Sequence, residues 1–220
     1  MRTVVFDLDG TLADTSADLL AAANACFQRL GHGAMLGPGD ALTAFQGGRA
    51  MLRLGFSRLE AASNEDDINR EYPFLLAAYA DAIDTHSQLY PGAMAAVEAL
   101  LAQGFKTAIC TNKPEALAVE LVRRLGIAHL FGALVGADTF SVRKPDPVPY
   151  LAAVERAGGQ VGGSVLIGDT ETDLLTARAA GVPVVLVTFG PEGDRIARLQ
   201  PDALLHHYDD LPRLAAGLLP

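Results

Sequence analysis

The chain has 220 residues, half of them hydrophobic and a fifth charged, a balance that excludes an intrinsically disordered protein. Its net charge is −9 and its 17 lysines and arginines are scattered, which excludes the concentrated basic patch of a nucleic-acid binder. No apolar run approaches the roughly 18 residues of a membrane span, and no signal-peptide segment precedes Asp7. We therefore expect a cytoplasmic protein without a membrane partner. Cys26 and Cys110 lie far apart in apolar surroundings, which favours two buried free thiols over a disulfide.

The first predicted element is a buried strand at Thr3–Leu8, a β-branched and apolar run followed by a turn at Gly10. The next stretch, residues 14–88, has no convincing strand, and its apolar spacing predicts helices. The predicted helices are Asp14–Leu30, Pro38–Phe45, Gly48–Leu59 and Glu65–Ile83. We interpret this stretch as a helical insertion after the first strand, with residues 1–13 and 89–220 as the α/β core.

The ends of these helices carry recognisable signals. Thr15 or Ser16 is expected to cap the first helix, and Asn64 with Asp67 resembles a capping pair at the start of the last one. Pro73 lies inside the last helix. It predicts a kink or a split there, because proline lacks a backbone donor and clashes with the preceding turn.

After residue 88, short apolar runs alternate with helix-period segments that stop at glycine. The predicted strands are Phe105–Cys110, Ala133–Ala137, Ser164–Ile167 and Pro183–Val187, and the predicted helices are Ala93–Ala102, Glu115–Leu125 and Asp173–Ala180. The alternation indicates an α/β fold, a doubly wound three-layer parallel sheet with helices on both faces. Ligands of such sheets bind beyond the carboxyl ends of the strands. Four polar residues occupy predicted strand ends: Asp7, Thr111, Asp138 and Asp169.

Two carboxylates follow the first predicted strand, in the segment Asp7-Leu8-Asp9-Gly10-Thr11. Side chains alternate along an extended strand, so Asp7 and Asp9 are expected to point to the same side. One carboxylate can then act as a nucleophile while the other transfers protons. A strand end closed by an ordinary Asp-Gly turn explains this segment equally well when it is taken alone.

A second acidic segment, GDTETD at residues 168–173, follows the predicted strand Ser164–Ile167 and opens a helix. Its carboxylates would repel Asp7 unless a cation lay between them. A few hard oxygen ligands that leave room for water suit Mg²⁺. The alternative is that Asp169 or Thr170 simply caps the helix.

Two further segments offer binding groups for a phosphate. Lys144 lies in a loop rich in proline, where its compact positive charge can anchor a phosphate, although a solvated lysine in a turn is the alternative. Thr111 precedes a helix that begins near Pro114. Its hydroxyl and the nearby backbone amides can form an anion site, or they can form an ordinary helix cap.

In this order, the segments resemble the motifs of the haloacid dehalogenase superfamily, in its phosphoglycolate phosphatase-like branch. DLDGTL at residues 7–12 resembles the first motif, Thr111 the second, Lys144 the third and GDTETD the fourth. The resemblance covers nearly the whole chain and implies that residues 14–88 form a small α-helical cap. It also implies a phosphatase that uses Mg²⁺ as its cofactor and acts on a small phosphorylated metabolite.

The resemblance implies a role for each motif residue. Asp7 would attack phosphorus and become an aspartyl phosphate, while Asp9 would protonate the leaving alcohol and later deprotonate water. The metal ligands would be Asp7, the carbonyl of Asp9 and Asp169, with Asp173 as a direct or supporting ligand. The phosphate-binding residues would be Asp7, Gly10, Thr11, Thr111, Asn112 and Lys144.

Other activities of similar proteins are the competing hypotheses. A haloacid dehalogenase does not need a second aspartate two residues after the nucleophile, and phosphonate-cleaving relatives carry a small residue there, so Asp9 favours phosphoester chemistry. A sugar-phosphate mutase keeps both carboxylates, and these motifs do not separate it from a phosphatase. A regulatory protein that kept the fold without turnover is the alternative of another class. It predicts the loss of a catalytic carboxylate or of the lysine, and all are present.

Substrate recognition is expected from the insertion. Gly47, Gly48 and Arg49 lie between two predicted helices, and we hypothesise that Arg49 contacts a carboxylate remote from the phosphate, such as that of phosphoglycolate. A solvent-facing arginine is the alternative. His206 and His207 lack a third metal ligand nearby and are interpreted as surface or satisfied histidines at a predicted edge strand. The sequence leaves both a monomer and a homodimer open.

Overall fold

The computed structural model describes residues 1–59 and 64–220. The chain divides into two compact units. The sheet unit contains Met1–Asp14 and Leu89–Pro220, and the helical unit contains Thr15–Gln88. The assignment of the helical unit as a cap stays a prediction.

The strands are short, between two and five residues each, and the described residues contain eight of them. In chain order they are β1 (Thr3–Phe6), β2 (Ala13–Asp14), β3 (Gln88–Leu89), β4 (Lys106–Cys110), β5 (Ala133–Val135), β6 (Ser164–Gly168), β7 (Val184–Val187) and β8 (Ala203–Leu205). The five strands predicted from apolar runs are all present, and β8 precedes His206 at the edge of the sheet, as predicted.

Six strands form one parallel sheet in the order β5–β4–β1–β6–β7–β8, and β2 pairs with β3 in a separate two-stranded sheet. Strand β1 lies at the centre, where Phe6 is in register with Ile109 of β4 and Ile167 of β6. Every residue of β1 and β6 is buried, which explains their uninterrupted apolar sequences. The predicted α/β fold with a parallel sheet is confirmed.

The described residues contain nine α-helices. Those of the helical unit are α1 (Ser16–Arg29), α2 (Ala41–Phe45), α3 (Gly48–Ser57) and α4 (Glu65–Asp81). Those of the sheet unit are α5 (Ala93–Ala102), α6 (Glu115–Arg124), α7 (Val148–Arg156), α8 (Glu171–Ala180) and α9 (Leu211–Leu218). The predicted helices agree with these to within a few residues, except that Pro38–Asp40 forms a separate 3₁₀ turn before α2. Helices α7 and α9 are not among the predicted helices.

Helices lie on both faces of the sheet. Helices α7 and α8 pack on the face that carries Val5, Cys110 and Leu166, while α5 packs against β4 and α9. Both Cys26 and Cys110 are buried free thiols, as predicted. Among the described residues, no helix is both long and apolar enough to cross a bilayer.

Helix α4 begins with the predicted capping pair and runs through its proline. The side chain of Asn64 accepts hydrogen bonds from the backbone N–H of Asp66 and Asp67, and Asp67 accepts from the N–H of Asn64. The predicted split at Pro73 is wrong, because α4 is one continuous helix. Proline in a helix costs about 3 kcal/mol, and burial of an apolar face that includes Ile68, Leu75 and Tyr79 offsets this cost.

One buried carboxylate joins the two ends of the helical unit. Asp18, in the first turn of α1, accepts hydrogen bonds from the backbone N–H of His86 and Ser87 and from the Ser87 hydroxyl, at 2.7 to 3.0 Å. Residues 86 and 87 lie just before the unit ends at Gln88. Asp18 therefore holds the beginning and the end of this unit together.

Candidate active site

The parallel sheet brings three of the predicted site residues to one edge. Asp7, Thr111 and Asp169 directly follow β1, β4 and β6, which are neighbouring strands in register. All three side chains are buried. The carboxyl ends of parallel strands thus place a nucleophile candidate between a hydroxyl and a second carboxylate.

The chain turns away from the sheet immediately after Asp7. The N–H of Asp7 still donates to the carbonyl of Ile167, at 2.9 Å, but strand β1 itself ends at Phe6. Gly10 then adopts a left-handed φ of 81°, which glycine tolerates best. The expectation that Asp7 and Asp9 lie on one extended strand is therefore wrong, because β1 ends before Asp7. Instead, each carboxylate meets its own lysine.

A buried cluster surrounds Asp7. Carboxylate oxygens of Asp7, Asp169 and Asp173 all lie within 4.8 Å of one another. The Nζ atom of Lys144 lies 2.6 Å from Oδ1 of Asp173 and 3.1 Å from Oδ1 of Asp7. Lys144 is only 3% exposed, so it is not the solvated loop lysine of the alternative interpretation. The Lys144 ammonium thus contacts two of the three carboxylates in a space that excludes most water.

Asp173 has donors for both of its oxygens. Its Oδ1 accepts from Lys144, and its Oδ2 accepts from the backbone N–H groups of Asp169 and Thr170 and from the Thr170 hydroxyl. Thr170 and Asp173 form a capping box at the start of α8. Asp173 therefore fixes Lys144 and the loop that carries Asp169.

Asp169 is satisfied on one oxygen only. Its Oδ1 accepts a hydrogen bond from the Thr11 hydroxyl at 2.9 Å. Its Oδ2 is buried, and within the described part of the chain no group donates to it. A Cβ atom on Gly10 would lie 2.3 Å from this oxygen, so the turn needs glycine to leave room. A buried carboxylate oxygen without a donor indicates a place for a cation.

Burial controls the protonation of this cluster. Desolvation raises the pKa of Asp7 to about 6, even though Lys144 lowers it. Desolvation also raises the pKa of Asp169, with the neighbouring charges of Asp173 and Asp7 adding to the effect. For Lys144, burial lowers the pKa, but the attraction of Asp173 and Asp7 outweighs burial and the net shift is upward. Lys144 therefore stays charged. Its positive charge does not offset the effect of burial on the pKa of Asp7 and of Asp169.

A residue that the sequence reasoning did not select lies beside Asp9. The Nζ atom of Lys113 is 2.8 Å and 2.9 Å from the two carboxylate oxygens of Asp9. Lys113 is 6% exposed. Its only signal in the sequence is its place two residues after Thr111, in the loop that follows β4.

The remaining core-motif residues have defined neighbours. Thr111 accepts a hydrogen bond from the N–H of Lys113 at its hydroxyl, at 3.2 Å. The Asn112 amide donates to the carbonyl of Lys144 at 3.0 Å, which links two loops at this edge of the sheet. The predicted partner of Thr11 is a phosphate, whereas its hydroxyl here donates to Asp169.

The substrate residues expected in the insertion belong to the helical unit. Gly47 precedes α3 with a φ of 98°, and Gly48 packs closely against Leu75 and Tyr72. The guanidinium of Arg49 donates to Oδ1 of Asn69 at 2.7 Å and lies 4.6 Å from the centre of the Tyr72 ring. Arg49 is half-buried. Its role in substrate recognition stays a prediction.

Both histidines singled out in the sequence are exposed. The ring of His206 hydrogen-bonds to the Thr188 hydroxyl at 2.9 Å and lies 3.8 Å from Asp194. The one group of three or more potential metal ligands among the described residues is Asp7, Asp169 and Asp173.

Comparison with known proteins assigns the family. The family model described as haloacid dehalogenase-like hydrolase matches residues 4–187. The chain belongs to the haloacid dehalogenase-like hydrolases. The phosphoglycolate phosphatase of Agrobacterium fabrum is 37% identical over 214 residues, covering 97% of this chain and 91% of that protein. The phosphoglycolate phosphatase of Mesorhizobium japonicum is 36% identical over 208 residues, covering 94% of this chain and 92% of that protein.

Solved structures agree with this assignment. The crystal structure of a Haemophilus somnus protein, described as a predicted phosphoglycolate phosphatase, matches with a TM-score of 0.82 and 26% identity. The match covers 97% of each chain. This haloacid dehalogenase-like hydrolase is therefore an enzyme, a phosphatase resembling the phosphoglycolate phosphatases.

The donor set fits the divalent cation that such phosphatases generally use. Asp7 and Asp169 offer hard carboxylate oxygens at adjacent strand ends, and one of these oxygens is buried and receives no hydrogen bond from any residue that the structure describes. Mg²⁺ prefers a small number of carboxylates and keeps several waters. Asp173 fits a supporting position better than a direct one, because four donors already use its oxygens.

Proposed function

We propose that the protein is a Mg²⁺-dependent phosphoglycolate phosphatase that works through an aspartyl phosphate on Asp7. One observation supports this proposal above the others. The Asp7 carboxylate lies beside Lys144 in a buried group of three carboxylates, one oxygen of which has no donor among the described residues. Such a site needs additional positive charge, which a bound metal ion would supply. That charge would stabilise the transferring phosphoryl group.

In the first step, a carboxylate oxygen of Asp7 attacks phosphorus and the bond from phosphorus to the alcohol oxygen breaks. Asp9, in its protonated form, gives its proton to the leaving alcohol oxygen. In the second step, water attacks phosphorus while Asp9 takes one of its protons, and Asp7 leaves as a carboxylate together with inorganic phosphate. The first step leaves Asp7 phosphorylated and Asp9 ionised, and the second step restores both residues to their starting state.

The chain's own groups would position the phosphoryl oxygens. Lys144 and Thr111 would bind these oxygens directly. The Asn112 side chain donates to the backbone carbonyl of Lys144 and would hold the loop that carries it. Gly10 and Thr11 lie in the turn that follows Asp7, where their N–H groups donate to the carbonyls of Ala13 and Leu8, so their predicted contact with the phosphate has no support from a free donor in this turn. Asp7, the carbonyl of Asp9 and Asp169 would hold Mg²⁺, which neutralises charge on the phosphoryl group.

The substrate assignment comes from two sources. Two phosphoglycolate phosphatases share 36–37% identity with this chain over almost its whole length. In addition, Arg49 of the helical unit carries a guanidinium suited to a carboxylate. Phosphoglycolate has both groups, a phosphate and a carboxylate on a two-carbon frame.

The direct test is phosphate release from a panel of small phosphate esters, measured with Mg²⁺ and again with excess EDTA. We expect the highest kcat/KM for 2-phosphoglycolate, loss of turnover in EDTA, and no turnover by Asp7→Asn while its circular dichroism is unchanged. Turnover that persists in EDTA would refute the metal assignment. Conversion of a sugar phosphate to its isomer without free phosphate would favour a mutase instead.

The role of Arg49 has its own test. Arg49→Ala is expected to raise KM for 2-phosphoglycolate by about 10-fold, the value of one charge-assisted hydrogen bond, and to leave p-nitrophenyl phosphate unaffected. Arg53→Ala is the matched control, because Arg53 lies on the same helix and pairs with Glu65 at 2.7 Å. Equal losses on both substrates would count against the proposed carboxylate contact.

A further inference from the structure

Lys113 is the nearest buried cation to Asp9 among the described contacts, and no role has been given to it so far. Its ammonium contacts both oxygens of the Asp9 carboxylate, at 2.8 Å and 2.9 Å. The side chain of Lys113 is 3% exposed and that of Asp9 is 16% exposed. A cation that contacts both oxygens fixes the plane of the carboxylate as well as its distance.

The backbone around Lys113 is held on both sides. Its N–H donates to the hydroxyl of Thr111, and its carbonyl accepts from the N–H of Ala137 at 2.9 Å. Ala137 follows β5, the neighbour of β4 in the sheet. The backbone of Lys113 is therefore held at two strand ends, and Asp9 contacts its ammonium from the turn after a third.

Asp9 lies in a turn and not in a regular strand. It lies after the end of β1, in the turn that contains Gly10, and makes an isolated bridge with Ala13. A side chain in such a turn has several rotamers unless a partner selects one. Proton transfer requires a heavy-atom separation of about 2.6–3.2 Å, so the choice of rotamer decides whether Asp9 can serve the leaving group.

We propose that Lys113 is a positioning residue for Asp9, which selects the orientation from which Asp9 exchanges a proton with the leaving alcohol and with water. The inference rests on the proposed function, in which Asp9 is the acid and base. Lys113 acts through Asp9 in this proposal, whereas Lys144 acts on the phosphoryl group. The two lysines of the site thus divide proton transfer and phosphoryl binding.

The test uses the dependence of the rate on the leaving group. An alkyl phosphate such as 2-phosphoglycolate needs protonation of its alkoxide, whereas p-nitrophenyl phosphate has a leaving group that departs without it. We expect Lys113→Met to lower kcat/KM for 2-phosphoglycolate by about 10- to 100-fold, part of the 10²–10⁴ typical of acid–base catalysis. The loss with p-nitrophenyl phosphate should be less than about 3-fold on the same reasoning.

Two further variants separate positioning from other roles. Asp9→Asn should show the same selectivity between the substrates, and the double variant should lose no more than Asp9→Asn alone, because both changes remove one function. Lys113→Arg keeps a cation beside Asp9 and should recover part of the loss. It also provides the measurement if Lys113→Met fails to fold. Lys106→Met is the matched control, since Lys106 starts β4 at the opposite end of that strand.

The outcomes are distinct. Equal losses of kcat/KM on both substrates, or losses that add to those of Asp9→Asn, would overturn the inference and assign Lys113 to phosphoryl binding or to folding. If wild-type protein releases phosphate from neither substrate in Mg²⁺, the proposed function fails instead, and with it the basis of this inference.

Discussion

The ammonium of Lys144 lies 2.6 Å from the carboxylate of Asp173, and both side chains are buried. This pair organises the site, because Asp173 also accepts from the loop that carries Asp169. Lys144 in turn reaches Asp7 at 3.1 Å. The position of Lys144 beside Asp7, the proposed nucleophile, therefore depends on Asp173, which need not contact the substrate.

Asp169 and Asp173 should respond in opposite directions to the same substitution. In EDTA, Asp169→Asn should raise the free energy of unfolding by about 1–2 kcal/mol, because it removes a buried charge and keeps an acceptor for Thr11. Asp173→Asn should lower it by about 2–4 kcal/mol, because an amide NH₂ would face Lys144 or the Thr170 donors. Urea unfolding followed by circular dichroism measures both. A shift of the same sign in the two variants would contradict the described hydrogen bonds.

Asp7 should make the metal-free protein less stable as the pH rises. Its pKa is raised from an ordinary 3.8 to about 6, so the protonated form favours the folded state. The associated stability is complete below about pH 4 and is lost as the pH passes through about 6, with an upper limit of about 3 kcal/mol. Unfolding in EDTA at pH 4 and pH 8 should show this loss in wild-type protein. Asp7→Asn should reduce the difference in the free energy of unfolding between the two pH values. An unchanged difference would count against Asp7 as the group responsible.

Gly10 should be required for the metal site, beyond its backbone conformation. Gly10 and Gly104 both have a φ of 81°, but a Cβ on Gly10 would lie 2.3 Å from Asp169, whereas one on Gly104 meets nothing within 4 Å among the described residues. Alanine at either position should cost about 1 kcal/mol of stability for the strained backbone. Only Gly10→Ala should raise the Mg²⁺ concentration for half-maximal activity, by about 10-fold or more. The same rise in Gly104→Ala would disprove the steric explanation.

Asp18 should stabilise the helical unit far more than its place in a first helical turn suggests. Asp18→Ala should lower the free energy of unfolding by about 1.5–3 kcal/mol, since it removes the buried charged acceptor of the backbone donors of His86 and Ser87. Amide hydrogen exchange at those two residues should accelerate. Asp66→Ala is the control, because Asp66 occupies the first turn of α4 but is exposed, and its effect should stay within about 0.5 kcal/mol. Comparable losses in the two variants would rule out the role given to Asp18.

The sheet and the placement of the strand-end residues could be predicted from the sequence. Parallel strands buried on both faces leave uninterrupted apolar runs, so the residues that follow them, such as Asp7 and Asp169, are assigned to one edge. Helix α9 escaped prediction because Pro212 and Gly217 argue against a helix. Proline is nevertheless well placed in the first turn, and Leu211 and Ala215 are buried.

The ion pairs that Lys113 and Lys144 form with buried aspartates could not be predicted from the sequence. Lys113 and Lys144 both lie in loops next to proline, where sequence alone favours a solvated side chain. Their burial arises from contacts with residues distant in the chain, 104 positions away for Lys113 and Asp9. Local patterns carry no information about such contacts. The end of β1 at Phe6 was missed for a different reason, because the predicted strand continues through Leu8 while the observed strand does not.

The hydrogen bonds of Asp18 have a counterpart in the sheet unit, where the N–H of Tyr90 donates to the carbonyl of Leu12 at 3.0 Å. Each unit therefore brings its own two chain ends together. Closing a loop between ends that are already adjacent costs little entropy, and this cost grows only slowly with the length of the inserted segment. The segment from 15 to 88 can therefore change in length at little entropic cost, without any change in the register of β1 or in the carboxylates that follow it.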